Sequence, residues 1–261
     1  VKQLKSSVGD LRQLFARTLV LRDLAEPLAS FDHDRPAAEV RAFMEARGYD
    51  VVGLREAGVV TGYVARAELA AGAAEQYRRP FEACDVLPDS EPLLAAFAAL
   101  RERRHIFITL FGHVGGIVTR GDLQKPPVRL WLFGLVSLLE MQMLRVVRAR
   151  YPDNSWTGRV TEKRLADARN IFDKRKLRNE EIDLADCLQL GDKATILKKD
   201  SDLFALSQFP SKQKWEDFFN EVESLRNALA HANDILTGHW PALADLIGQL
   251  ENFLVRLETV T

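Results

Sequence analysis

The stretch Pro36 to Gly48, PAAEVRAFMEARG, spaces its apolar residues as an amphipathic helix does. A short apolar strand, YDVVGL from Tyr49 to Leu54, is predicted next, then a turn at Glu56 to Gly58, then a second strand and the start of a helix in GYVARAEL. About fifty residues later the order recurs: EPLLAAFAALRERR predicts a helix, HIFITL a strand, Phe111 to Gly115 a turn, and GIVTRGDL, Gly116 to Leu123, a strand running into a helix. Strands this short and this apolar do not stand alone. Two copies packed together with shared buried faces is the economical solution, so the first half of the chain is expected to be α+β and built by duplication.

The pattern changes after Asp122. In QKPPV, Pro126 and Pro127 are expected to block helix continuation and leave a stiff, extended joint, which sets a domain boundary. Val128 to Arg150 is apolar almost all round, as a central buried helix would be. Helical stretches follow near Glu162 to Arg178, Ile182 to Lys198, Lys212 to Ala232 and Trp240 to Leu257, with little strand signal between them. The chain therefore divides into an N-terminal segment (1–20), a duplicated α+β domain (21–125) and an all-α helical bundle (128–261).

Composition narrows the picture mainly by exclusion. A length of 261 residues suits two ordinary domains. With 47% hydrophobic and 28% charged residues, 15 Gly and 10 Pro, the chain is not a disordered or collagen-like scaffold. Two cysteines, Cys84 and Cys187, cannot make a disulfide framework or a Cys-rich zinc site, and such usage points to a reducing, cytoplasmic location. The net charge of −1 offers no global field for nucleic acid. Neither half is basic, since 17 basic and 17 acidic residues precede Pro127 and 19 and 20 follow it. The longest apolar run, Leu130 to Leu139, falls short of the ~20 residues that span a bilayer, so neither a membrane segment nor a secretory signal is expected. The chain opens at Val1 rather than Met, as a trimmed chain would, and no weight rests on its first residues.

GIVTRGDL places Thr119 and, three residues on, Asp122 at a strand-to-helix turn. A hydroxyl and a carboxylate there can bond a ribose while backbone N–H groups meet phosphate. The duplicated unit ending in Gly-Ile-Val-Thr-x-x-Asp-Leu resembles the cystathionine-β-synthase (CBS) domain, and the pair, Leu21 to Leu123, resembles a Bateman module. The resemblance implies binding of an adenine nucleotide or related adenosyl ligand that regulates an attached domain, with Thr119 and Asp122 on ribose and phosphates. His105 and Arg104 begin the strand that lines this cleft in relatives and would touch base or phosphate, or else are solvated strand ends. The first copy departs from the pattern: its equivalents are Ala65 and Glu68, and alanine has no hydroxyl to offer. Thr119 also has a purely structural alternative, as a cap for the helix that follows.

In the second domain, ESLRNALAHAND (Glu223 to Asp234) lies on a helix whose apolar stripe carries Trp215, Phe218, Phe219, Val222, Leu225 and Leu229. A step of ~100° per residue puts Arg226 near the apolar side, with Asn227 and His231 on the polar side, four residues apart. A guanidinium facing a core needs a carboxylate or phosphate partner, and Glu140, the lone charge in the middle of the apolar helix, is one candidate, or else a glutamate at the bundle rim. Arg-Asn-x3-His on the penultimate helix of a helical domain resembles the Arg-x4-6-His motif of the higher-eukaryote-and-prokaryote nucleotide-binding (HEPN) superfamily. That resemblance implies a homodimeric, metal-independent endoribonuclease whose two motifs meet across a two-fold axis, with Arg226, Asn227, His231 and Glu140 as its site. The polyadenylating relatives require a Tyr two residues after the His, and Asn233 stands there.

The chemistry is coherent without the family. RNA is cleaved by its own 2′-hydroxyl when a base takes that proton and a cation stabilises the phosphorane, and an imidazole and a guanidinium supply both. The other histidines, His33, His105, His113 and His239, are scattered and no metal-binding spacing is present. His231 has a structural alternative as an exposed helix C-terminal residue meeting the helix dipole. Lys174, Arg175, Lys176 and Arg178 form the dense basic cluster, either a solvated helix face or a guide for single-stranded RNA. The expectation is thus a cytoplasmic CBS pair fused to a HEPN-like bundle, with an adenine nucleotide as regulatory ligand and no catalytic cofactor. The alternative is a non-catalytic regulator whose helical half only dimerises or binds a partner.

Overall fold

The computed structural model describes residues 7–231, 233–235 and 240–260. They fall into two compact units: Leu14–Val128, and Arg129–Thr261 together with the chain's start up to Gln13. Within the segment 1–20, the helix α1 (Val8–Thr18) runs across the boundary between the units.

The unit Leu14–Val128 is built on two matching hairpins. β3 (Val51–Glu56) pairs antiparallel with β4 (Val59–Ala65), and β6 (His105–Leu110) pairs antiparallel with β7 (His113–Thr119). Each hairpin turns on two residues in the left-handed region, Ala57-Gly58 (φ 48° and 82°) and Phe111-Gly112 (φ 52° and 84°), the geometry that matches strand twist. Each carries a register irregularity at the corresponding place, Leu54/Arg55 and Ile108/Thr109. A short parallel strand flanks each one, β2 (Ser30–Asp32) on β3 and β5 (Val86–Pro88) on β6. β1 (Glu26–Pro27) pairs with β7, and the counterpart on β4 is a single bridge between Tyr63 and Arg79.

The helices α2 (Ala37–Arg47) and α3 (Leu94–Glu102) complete the copies. α2 stops at Gly48, which takes the left-handed conformation at φ 69°, and the Tyr49 N–H returns to the Met44 carbonyl. Ala37, Val40 and Met44 of α2 pack with Val52, Leu54, Val64 and Leu69 into a fully buried cluster, and each large aliphatic buried there contributes ~1.5–3 kcal/mol. The expected helix after the second strand of each copy is not formed. Arg120–Gln124 is a short 3-10 turn, and Arg66 to Glu68 is only a turn. The turn expected over Phe111 to Gly115 is also shorter, since β7 has begun by His113.

α4 (Pro126–Arg150) begins at the two prolines that were expected to form an extended joint. Proline lacks only an N–H that the first turn would leave unbonded, so here it starts a helix instead of preventing one. By length and composition α4 is long and apolar enough to cross a bilayer, unlike the run Leu130 to Leu139 taken alone. Its Trp131, Leu132, Leu135, Val136, Leu139, Met143, Val146 and Val147 are buried, as the core helix of a bundle requires. It is not buried all round, for Leu130, Phe133 and Met141 are 62%, 48% and 52% exposed. Around it stand α5 (Glu162–Lys176), α6 (Leu190–Lys198), α7 (Ser201–Ser207), α8 (Lys212–Ala230) and α9 (Trp240–Glu258). The helix expected over Ile182 to Lys198 is split into a 3-10 turn, Leu184–Cys187, and α6, with Leu188 and Gln189 extended between them. Trp215, Phe219 and Phe253 form an aromatic centre, with ring centroids 4.8 Å apart for Trp215 and Phe219 and 5.4 Å for Trp215 and Phe253.

Candidate functional sites

In the α+β unit, Arg104, His105, Thr119 and Asp122 line one cleft of about 620 Å³. The hairpin register does part of this, because His105 opens β6 directly opposite Thr119 at the close of β7. The rest comes from the first copy: Arg47, Gly48, Tyr49 and Asp50, where α2 hands over to β3, form another wall. Asp122 is the centre of a local hydrogen-bond network. Its carboxylate accepts from the Thr119 N–H at 2.7 Å and the Thr119 hydroxyl at 2.9 Å, and the Lys125 ammonium lies 2.9 Å from its other oxygen. Thr119 is the N-cap of the short turn Arg120–Gln124, in a capping box with Asp122, whose carboxylate returns to the Thr119 N–H. Lys125 also bonds the Leu24 carbonyl and the Glu26 carboxylate.

The electrostatics of the cleft follow from which charges are already paired. Asp50 is held by Arg66 at 2.7 Å, and Asp122 and Glu26 share Lys125. Arg47 and Arg104 have no carboxylate partner among the described residues, although Arg47 lies over the Phe43 ring. Burial lowers the pKa of His105 against the opposing pull of Asp85 and Asp50, so its imidazole is neutral at neutral pH and the uncompensated cations are the two arginines. Such a cleft favours an anion.

The corresponding place in the first copy is built differently. Phe81 stacks on Tyr63 with centroids 5.7 Å apart and meets Phe107 at 4.7 Å. Glu68, the counterpart of Asp122, is paired with Arg79, and Ala65 stands where Thr119 would be.

In the helical unit, Arg226 is half-buried on α8 and faces Glu140 of α4 at 3.6 Å, with Glu223 at 3.5 Å and the Asn227 side-chain oxygen at 3.3 Å. Asn227 and His231 are exposed. His231 closes α8, its backbone N–H bonded to the Asn227 carbonyl at 3.1 Å. Arg129 secures this helix end by donating to the carbonyls of Ala228, Leu229 and Asn233 at 2.7, 3.2 and 2.8 Å. Glu140 has a second cation, Lys193 of α6, at 3.4 Å. Sequence reading missed Lys193, Arg129, Lys125, Arg47 and Tyr49. Only Lys125, three residues from Asp122, carried a local signal.

In the basic cluster, Lys174, Lys176 and Arg178 are exposed and Arg175 is half-buried. Arg175 is engaged by Glu180 at 2.6 Å and Lys176 lies over the Phe172 ring. His239 lies outside the described residues. Glu82, Cys84 and Asp85 bring one potential metal-ligand atom each within 4.8 Å of one another, a grouping the sequence did not suggest, and Asp85 is also held by Arg103 at 2.6 Å.

No family model and no curated protein matches this chain. Solved structures similar to it include a CBS domain-containing protein of unknown function from Bacillus anthracis, with 15% identity and a TM-score of 0.37 over 42% of this chain and 93% of that one. CBSX2 in complex with AMP is similar at 16% identity and a TM-score of 0.36, over 40% and 93% of the two chains. The CBS domain of the bacterial CNNM/CorC family Mg2+ transporter in complex with ATP is similar at 14% and 0.36, over 46% and 91%.

Proposed function

We propose that Leu14–Val128 is a CBS-type pair that binds an adenine nucleotide in the cleft of Thr119 and Asp122, and that it controls a metal-independent ribonuclease activity of the helical unit. The observation that carries the first half is the meeting of Thr119, Asp122, Arg104 and His105 in a single cleft whose carboxylates are paired and whose Arg47 and Arg104 are not. A nucleotide supplies the phosphates such cations favour and the ribose hydroxyls that Thr119 and Asp122 can bond. The second half rests on Arg226, oriented by Glu140, with Asn227 and His231 following it to the open end of α8.

In the proposed reaction His231 removes the 2′-hydroxyl proton and the 2′-oxygen attacks phosphorus. Arg226 stabilises the added charge, and the bond to the 5′-oxygen breaks as that oxygen takes up a proton. The products are a 2′,3′-cyclic phosphate and a 5′-hydroxyl. Asn227 positions the phosphate or the imidazole. A homodimer provides a second imidazole for the returning proton. Exposed Leu130 on α4 is part of the apolar surface open to a second copy, whereas Trp215 and Phe219 of the α8 stripe are buried within the unit.

The deciding assay is incubation of the full chain with single-stranded RNA in EDTA, with and without adenine nucleotides, and with light scattering in the same buffer. Cleavage is expected from a dimer and should fall ~100- to 10,000-fold in His231→Ala. Full activity in that variant, or none under any nucleotide condition, favours a second reading, a non-catalytic regulator. One observation supports that reading: Arg226 is directed to Glu140 and Glu223 and so is satisfied without substrate.

A further inference from the structure

The most unusual charge in the helical unit is Lys193. Its side chain is 7% exposed, and among the described residues its one ion-pair contact is to Glu140 at 3.4 Å, near the limit for such a bond. An ammonium has three donors and is costly to bury with fewer than its full set of partners. Arg226, on the other side of the same carboxylate, is held no more closely, at 3.6 Å. Both cations line a pocket of about 350 Å³ whose wall is one face of α4: Phe133, Val136, Ser137, Met141 and Leu144 surround Glu140 there. Within this lining two cations share one carboxylate, beside an apolar surface on which Phe133 is 48% exposed and Met141 52%.

An anionic group attached to a flat apolar one matches this combination. We propose that the pocket binds one nucleotide unit of single-stranded RNA, its phosphate between Lys193 and Arg226 and its base against Phe133 and Met141. This rests on the assignment of RNA to the helical unit and extends it, giving Lys193 the role of second phosphate-binding cation and the α4 face that of a base platform. Base stacking on an aromatic ring tolerates any sequence, so the pocket confers grip on a single strand without base choice. Glu140 acts as a placeholder that keeps the two cations apart and paired until phosphate arrives.

A labelled 2′-O-methyl-uridine octamer tests this on the full chain in EDTA. Its blocked 2′-oxygens prevent cleavage, and uridine avoids the adenine cleft. Anisotropy titrations over a range of salt should show Lys193→Met binding about 10-fold more weakly, with the log Kd against log salt slope reduced by about one. Phe133→Ala should weaken binding about 10-fold with the slope unchanged. Glu140→Gln, which releases Lys193 and leaves Arg226 paired with Glu223 alone while keeping the side chain's shape, should tighten it. Phe133 is exposed, so its truncation leaves the fold intact and the test does not depend on Lys193→Met folding. Parent-like binding in Phe133→Ala and Glu140→Gln, or no binding of the octamer by the parent chain, overturns the proposal. Failure of the ribonuclease assignment looks different: octamer binding that depends on Phe133 while His231→Ala leaves RNA cleavage unchanged removes catalysis and keeps the pocket. Cleavage that requires His231, with octamer binding indifferent to Phe133 and Glu140, removes the pocket alone.

Discussion

Asp122 shows how one residue can be both scaffold and site. One carboxylate oxygen accepts two donors from Thr119 and the other meets Lys125, so a ribose or phosphate must share a network already formed. Thr119 is the cleaner probe, because Thr119→Val keeps the β-branched shape and deletes one hydroxyl. It should weaken adenine-nucleotide binding about 5-fold, the ~1 kcal/mol net of a single hydrogen bond. Calorimetric titration of the parent chain should give one site per chain, because Ala65 offers no hydroxyl where the second copy has Thr119 and Glu68 is paired with Arg79. Two equal sites, or unchanged binding in Thr119→Val, would contradict this. The pair Thr119–Asp122 was visible in the sequence as a motif. Arg47 and Tyr49 were not, because they reach the cleft only through the fold, from the opposite copy.

At the scale of elements, what was legible depended on whether local pattern or tertiary packing decided the outcome. The strand HIFITL was read correctly, since β6 runs His105–Leu110, and the helices near Pro36 to Gly48 and Glu162 to Arg178 formed with ends shifted by a residue or two. α7, only seven residues long, was missed because two turns offer little periodicity. It exists through its cap: Asp200 accepts from the Asp202 and Leu203 N–H groups and is bonded by Arg150 at 2.9 Å and by the buried Tyr151 hydroxyl. Burial alone would raise the carboxyl of Asp200, but the Tyr151 and Arg150 bonds prevail and lower it from 3.8 to about 2. A carboxyl lowered on folding contributes stability above its unfolded value and loses it as pH falls through the folded one. At ~1.4 kcal/mol per pH unit the contribution is about 2 kcal/mol, lost between pH ~4 and ~2. Tyr151→Phe deletes one of the donors and should move the onset of acid unfolding, followed by circular dichroism, to higher pH. An unchanged acid limb would mean that Arg150 alone holds the carboxylate.

For the whole molecule, the proposed control of one unit by the other requires a coupling free energy, and coupling is reciprocal. The chain itself supplies a short path. Lys125, bound to Asp122, Glu26 and the Leu24 carbonyl, is followed at once by α4. One turn further on, Arg129 holds the carbonyl end of α8 that carries His231. The prolines between them, Pro126 and Pro127, fix the φ angles of that first turn. Saturating adenine nucleotide should change the affinity for the uncleavable octamer by about 5-fold or more, the lower end of ordinary allosteric coupling. The octamer should change nucleotide affinity by the same factor. Lys125→Met, which cuts the tie to Asp122 without entering α4, should reduce both effects together while leaving octamer binding in the absence of nucleotide unchanged. Titrations that are independent in both directions in the parent chain would leave the two units joined by sequence alone, and the helical unit would then act without regard to the cleft.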